Sequence, residues 1–393
     1  MPPMRFSRRA ERLAESATLR MTRRVAELRA AGREIVDLSA GQPDFPSPPA
    51  AVAAARQALA DGFTRYTPAA GIPELRRALA RRYAERHGAP WGLANAVVTV
   101  GAKAALFELI QTLVDEGDEA VLPFPAWVSF PQQIRLAGGR PIAVATAAAE
   151  RFAIRAEPLL AAVGEKTRLV LVNSPSNPTG AMAAAGDLRR IVEHCAGRGI
   201  AVVSDETYDR LVYGGRPFAS AAALAAEFPR TVVVVGSFSK TYSMTGWRVG
   251  FCLGPQELIA RVAALQGHVT GNATSFAMRG ALAALEGAED EVAARLAELE
   301  GRRDLLVRRL GRIPGVACQP PQGALYAFPH VAERFRDGRR GSLELAEHLL
   351  ETAGVALVPG VAFGADDHLR ISFAAPRREL EAGLERLEEA LSR

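Results

Sequence analysis

The sequence predicts an α/β protein, with a mostly parallel sheet in a large domain and a smaller α+β domain after it. Three observations carry that expectation. The middle of the 393-residue chain alternates short β-branched runs with helical patterns, the order that builds βαβ units. The runs are apolar throughout rather than alternating, as strands covered on both faces require. Beyond residue 288 the style changes to one long charged helix and then short strands punctuated by Pro and Gly.

In chain order, residues 1–45 hold one helical stretch and a Pro-rich exit beginning Gly41-Gln42-Pro43-Asp44. They read as an arm joining the smaller domain. Residues 46–287 form the large domain, with strands expected at 96–100, 119–122, 140–144, 168–173, 200–205, 231–236 and 248–253. Between them run helical stripes such as Leu106, Leu109, Ile110 and Leu113, or Leu188, Ile191, Val192 and Cys195, spaced three and four apart. Residues 288–393 form the small domain. Its long helix, 288–310, turns Val292, Leu296, Leu299 and Leu306 inward, and short strands follow at 323–328 and 368–373 before a C-terminal helix.

Composition narrows the function. The 48 basic and 43 acidic residues alternate along the chain, and no basic block interleaved with aromatics offers a nucleic-acid surface. Three widely spaced cysteines without ligand spacing read as reduced thiols, and no HxxxH pair suggests a metal site. No stretch approaches a membrane span, and the basic N-terminus lacks the apolar segment of a secretory signal, so the expected compartment is the cytoplasm.

Of the 48 basic residues only Lys103, Lys166 and Lys240 are lysines. A primary amine can lose its proton and add to a carbonyl, whereas a guanidinium stays charged. Lys240 lies just past a strand, in Ser237-Phe238-Ser239-Lys240-Thr241-Tyr242-Ser243-Met244-Thr245-Gly246-Trp247-Arg248. Ligands gather at the carboxyl ends of parallel strands, and other reactive side chains fall there too. Asp205 closes one strand with Tyr208 three residues on, and Asn177 lies in the turn Asn173-Ser174-Pro175-Ser176-Asn177-Pro178-Thr179-Gly180. Gly101, Ala102 and Lys103 open a helix whose backbone N–H groups suit a phosphate, and Ser237 and Arg248 add donors. Each feature alone has an ordinary structural explanation. Together, an amine, an acid, a phosphate nest and hydrogen-bond donors match the needs of pyridoxal 5'-phosphate.

With these motifs the chain resembles, along nearly its whole length, the class I aminotransferases of pyridoxal phosphate fold type I. The pattern is that of the bacterial aspartate and aromatic branch of the aspartate aminotransferase superfamily. The resemblance implies that Lys240 bonds the cofactor's aldehyde, Asp205 holds its ring nitrogen protonated, and Tyr208 and Asn177 hydrogen-bond its phenolic oxygen. It implies that Trp127 stacks on the ring, and that the phosphate is held by Gly101, Ala102, Lys103, Ser237, Ser239 and Arg248. Tyr66 would reach that phosphate across a homodimer interface, with Asn272 a looser candidate from the partner. Arg370, in His368-Leu369-Arg370-Ile371-Ser372, would take the substrate α-carboxylate, with a backbone N–H of Gly41 beside it and Asn177 and Trp127 lining the substrate. Lys103, with Ser16 and Thr18, would face a distal carboxylate.

The reaction so implied is ping-pong transfer of an amino group from an amino acid to a 2-oxo acid such as 2-oxoglutarate. Lys103 favours aspartate as donor. Aromatic or neutral donors, and a carbon–sulfur lyase of the same fold, are the alternatives. A sensing regulator is disfavoured because the arm leaves no room for a DNA-binding domain ahead of the fold.

Overall fold

Seven strands make the central sheet of the computed structural model, which describes residues 4–11, 17–336, 338 and 340–392. They are β1 (Ala96–Thr99), β2 (Glu119–Phe124), β3 (Arg140–Ala145), β4 (Thr167–Asn173), β5 (Ala201–Asp205), β6 (Val232–Ser237) and β7 (Gly250–Leu253). All seven expected strands are present. β7 begins two residues later than expected because Arg248 adopts a left-handed φ of 55° at the end of a short 3₁₀ turn. That conformation breaks an extended strand.

The spatial order is β1-β7-β6-β5-β4-β2-β3. The pairs among β2 to β6 are parallel, whereas β7 runs antiparallel to both of its neighbours. Two reversals return β1 to the direction of β6. The carboxyl ends of β1, β2, β4, β5 and β6 therefore open on one edge of the sheet, and β7 starts there.

The apolar strands serve two cores. Val202, Val232 and Val234 point into one, and Val203, Val233 and Val235 into the other. Each such burial is worth roughly 1.5–3 kcal/mol, and the alternation is the period-2 geometry of a strand. Helix Ala102–Leu113 covers one face through Leu106, Leu109 and Ile110, and helix Ala185–Ala196 packs Leu188, Ile191, Val192 and Cys195 on the other.

A further core joins Met21, Val25 and Leu28 of helix Ala17–Ala30 to Leu299 and Leu306 of helix Glu289–Leu310. Leu380, Leu384 and Leu387 of helix Arg377–Ser392 complete it. The expected strands at 323–328 and 368–373 shorten to Tyr326–Ala327 and Leu369–Ser372, which pair antiparallel. The long helix is more polar inside than its leucine spacing suggested. Leu296 is only partly buried, whereas Arg295 and Arg302 are buried. Arg302 can be buried because its guanidinium grips Asp44 at 2.8 and 3.2 Å and donates to the Ala375 carbonyl at 2.6 Å, with the Phe45 ring 4.9 Å away.

One buried acid lacks such support. Glu108, on helix Ala102–Leu113, is fully buried, and neither carboxylate oxygen has a hydrogen-bond partner among the described residues. Burial raises its pKa from 4.5 to about 7. A raised folded-state pKa favours folding below the unfolded value, and that contribution is lost as pH climbs towards 7. The difference is on the order of 3 kcal/mol. Glu108→Leu is expected to raise Tm by an amount that grows from pH 5 to pH 8. A pH-independent gain in thermal melts would contradict this account.

Candidate active site

The edge where the strands end carries the site. Asp205 is the last residue of β5, buried, with its Oδ1 accepting the Thr207 N–H at 3.1 Å. Burial pushes its pKa up to about 6, and the hydrogen bonding from Thr207 pulls against that rise. Glu206, the next residue, faces the other way and is held by Ser220 Oγ at 2.7 Å and the Ala221 N–H at 2.9 Å. Only the first of the two adjacent acids lines the cleft.

At the end of β4, Asn173 shapes the following turn. Its Oδ1 accepts the Asn177 N–H at 2.8 Å, and its Nδ2 donates to the Asp205 carbonyl at 3.1 Å. The Asn177 side chain then meets Arg370, whose Nη1 donates to Asn177 Oδ1 at 3.1 Å.

Past β6, the Ser237 hydroxyl accepts the Ser239 N–H at 3.0 Å, and the Lys240 Nζ donates to the Gly41 carbonyl at 2.5 Å. Burial lowers the Lys240 pKa below the usual lysine range; the Arg370 and Arg248 charges add to the effect and Tyr326 opposes it. An amine so placed is closer to its neutral, nucleophilic form.

Gly101 links β1 to helix Ala102–Leu113 at a φ of 79°. A Cβ there would lie 2.4 Å from the Arg248 guanidinium. Only glycine combines that φ with so close an approach, which sets a helix N-terminus against a guanidinium. Arg248 Nη1 donates to the Thr245 carbonyl at 2.9 Å and Nη2 to the Val100 carbonyl at 3.4 Å, and the residue lines the cleft with Ser237 and Ser239. Such a cluster of donors suits an anion.

After β2, half-buried Trp127 packs edge-on against Phe130 at 5.3 Å and carries the Lys103 Nζ 4.9 Å from its ring centroid. Burial, with the Arg248 and Lys240 charges, lowers the Lys103 pKa. Ala126, the residue before Trp127, is buried with its N–H donating to the Phe363 carbonyl at 3.1 Å.

Arg370 is buried, yet among the described residues no carboxylate lies within ion-pair distance of it. Its Nη2 donates to the Ser39 carbonyl at 2.7 Å, its Nε has no partner, and Tyr326 and Phe363 rings flank it at 4.3 and 5.1 Å. Burial lowers its pKa. A desolvated guanidinium with open donors is a strong receptor for a carboxylate.

The resulting cleft, about 320 Å³, brings together Gly41, Ala102, Lys103, Trp127, Asn177, Asp205, Tyr208, Ser237, Ser239, Lys240, Arg248 and Arg370, with Gly101 immediately beside it. Gly41 meets Lys240 through its carbonyl. Tyr66 is 95% exposed and lies outside the cleft, as does Asn272, whose side chain bonds the Ala273 carbonyl. Ser16 and the side chain of Thr18 lie outside the described residues. Sequence reasoning missed Tyr326, Asn173 and Thr207, all of which line the cleft. Asn173 and Thr207 flank residues that were identified; Tyr326 had no local signal, being one apolar-looking position in Gly323-Ala324-Leu325-Tyr326.

Known proteins resemble this chain along nearly its whole length. The profile of the family described as aminotransferase class I and II matches residues 33–387. The chain is 41% identical to the aspartate aminotransferase of Geobacillus stearothermophilus, over 98% of each chain. It is 40% identical to the probable aspartate/prephenate aminotransferase of Aquifex aeolicus, again over 98% of each. Among solved structures, the aspartate aminotransferase of Thermus thermophilus with maleate superposes with a TM-score of 0.93 at 37% identity, covering 99% of this chain and 100% of that one. The Rhizobium meliloti enzyme gives 0.94 at 34% identity, covering 100% of both. With the family matched along most of its length and a fold type I architecture, the chain belongs to the class I and II aminotransferases and moves amino groups between amino acids and 2-oxo acids.

Proposed function

We propose that the enzyme uses pyridoxal 5'-phosphate to transfer the amino group of aspartate to 2-oxoglutarate, the two substrates occupying one site in turn. The observation that carries this reading is a part-buried amine, Lys240, and a buried guanidinium without a carboxylate, Arg370, in the same cleft. The donor set fits the cofactor: an anion seat too tight for any Cβ at Gly101, and an unpaired buried acid, Asp205, suited to a cation. When bound, pyridoxal phosphate supplies an aldehyde for the amine and a conjugated ring that delocalises the electron pair left on Cα.

The chain's residues do the rest. Gly101, Ala102, Lys103, Ser237, Ser239 and Arg248 hold the phosphate. Asp205 keeps a proton on the ring nitrogen, Tyr208 and Asn177 bond the phenolic oxygen, and Trp127 covers one ring face. Arg370 would hold the substrate carboxylate and so orient the Cα–H bond, and the Lys240 Nζ would carry the Cα proton. Lys103 and its cation give a distal carboxylate a partner, which favours aspartate, as do the names of the relatives. A panel of amino donors with 2-oxoglutarate tests the substrate. Aspartate should show the highest kcat/KM, and Lys103→Ala should cost it about tenfold more than alanine as donor. An unchanged ratio would remove Lys103 from substrate choice.

The working unit in this reading is a homodimer with shared sites, built from an arm (1–45), a large domain (46–287) and a small domain (288–393) per chain. Support comes from Tyr66, 95% exposed, and from Leu59 and Val269, about half exposed at 47% and 50%, a display of apolar surface that a partner would cover. Sedimentation equilibrium should return twice the chain mass at micromolar concentration, and a monomer there would refute it. Three free cysteines support a reducing compartment, the cytoplasm.

A further inference from the structure

We propose that Tyr326 is a positioning residue that links the substrate-carboxylate receptor to the hydroxyl of Tyr208, its ring serving the first and its hydroxyl the second. This rests on the function proposed above.

The backbone sets the arrangement. Tyr326 pairs with Ser372 and Ala327 with Ile371 across two antiparallel strands. Residues 370 and 372 share a face, so Arg370 is the diagonal neighbour of Tyr326. The Arg370 guanidinium consequently lies 4.3 Å from the Tyr326 ring centroid, with Phe363 at 5.1 Å. Its Nη1 and Nη2 are tied to Asn177 Oδ1 and the Ser39 carbonyl. A cation held by two acceptors and a ring face, with no anion of its own, has its plane set before substrate arrives.

The other end of Tyr326 lies among different groups. Its Oη is 3.1 Å from Tyr208 Oη, and both rings are buried, edge-on at 6.0 Å. A Cβ at Gly41 would fall 2.1 Å from the Tyr326 Oη, so this hydroxyl packs on the backbone whose carbonyl receives the Lys240 Nζ.

Two hydroxyls in one hydrogen bond leave one proton free. Burial opposes ionisation of both rings, but the Lys240 and Arg370 cations pull Tyr326 below the usual tyrosine range while Tyr208 is pushed well above it. Whichever hydroxyl donates, the Tyr208 hydroxyl shares its one hydrogen bond with a Tyr326 hydroxyl that lies between it and the Gly41 backbone. A carboxylate on Arg370 offsets the cation that lies 4.3 Å from the Tyr326 ring, so occupation of the receptor is felt at the Tyr326–Tyr208 hydroxyl pair.

Two variants separate the parts. In cofactor-loaded protein, Tyr326→Phe keeps the ring and loses the hydroxyl. It is expected to leave maleate affinity within twofold while lowering kcat about tenfold and shifting the midpoint of the pH-dependent visible absorbance by at least half a pH unit. Tyr326→Leu loses both parts and is expected to weaken maleate binding tenfold or more as well. Equal maleate affinity in the two variants, or a Tyr326→Phe enzyme with wild-type kcat and midpoint, overturns the inference. If wild type itself shows no visible absorbance with pyridoxal phosphate, the cofactor reading fails first and this one with it.

Discussion

Lys240→Ala is expected to abolish transamination, with kcat falling by at least about 10⁴-fold, and to lose the visible absorbance of the loaded enzyme. The amine is asked to do two things that no neighbour can take over. In the proposed function it would bond the cofactor's aldehyde and carry a proton to and from the substrate Cα. Its surroundings prepare it for both, since burial beside Arg370 and Arg248 lowers its proton affinity and its hydrogen bond to the Gly41 carbonyl aims the Nζ. Lys103 is the only other lysine in the cleft, and it stands over Trp127. Lys240→Arg is a sharper control. It retains a cation of similar reach and should be as inactive as alanine, because a guanidinium neither adds to an aldehyde nor gives up its proton at neutral pH. Steady-state assays with aspartate and 2-oxoglutarate, read beside the absorption spectrum, check both variants. Substantial activity in either would remove Lys240 from the chemistry.

Asp205→Ala should lower kcat by about 10³-fold while leaving some cofactor bound. A buried carboxyl whose only described donor is Thr207 has its pKa raised to about 6, so an ionised Asp205 is costly until a cation faces it. A protonated ring nitrogen would be that cation. The sign of the pH effect follows. As pH falls through about 6 in the cofactor-free chain, the carboxyl becomes neutral and its attraction for the cation fades. Cofactor affinity should therefore drop below about pH 6 in wild type and change far less over that range in Asp205→Ala. Fluorescence titrations at pH 5.5 and 7.5 decide it; parallel pH profiles would show that Asp205 is not the group sensed.

Much of this site was legible in the sequence because strands that are buried on both faces announce themselves. The valine runs 202–203 and 232–235 located β5 and β6, and the polar residues that follow had to lie at the ligand edge. Arg370 needed the resemblance, since nothing local separates it from 44 other arginines. Tyr326 escaped because its strand is two residues long and is defined by pairing with residues 371 and 372; such nonlocal partners leave no periodicity. Arg302 escaped for a related reason. Helical spacing predicts which face turns inward, but Asp44 and the carbonyl of Ala375, distant in sequence, make an inward guanidinium acceptable.

The antiparallel insertion of β7 between β1 and β6 has a consequence for biogenesis. β1 is complete by residue 99, yet its only partner in the sheet ends at residue 253. Until then β1 has no strand beside it, and the Gly101 end of its helix has no Arg248 to face. Such late, nonlocal closure is slow and leaves apolar edges exposed to chaperones and to neighbouring chains. The proposed phosphate seat is therefore among the last parts of the large sheet to exist as the ribosome delivers the chain, and a cofactor bound there would seal a finished sheet rather than template an unfinished one.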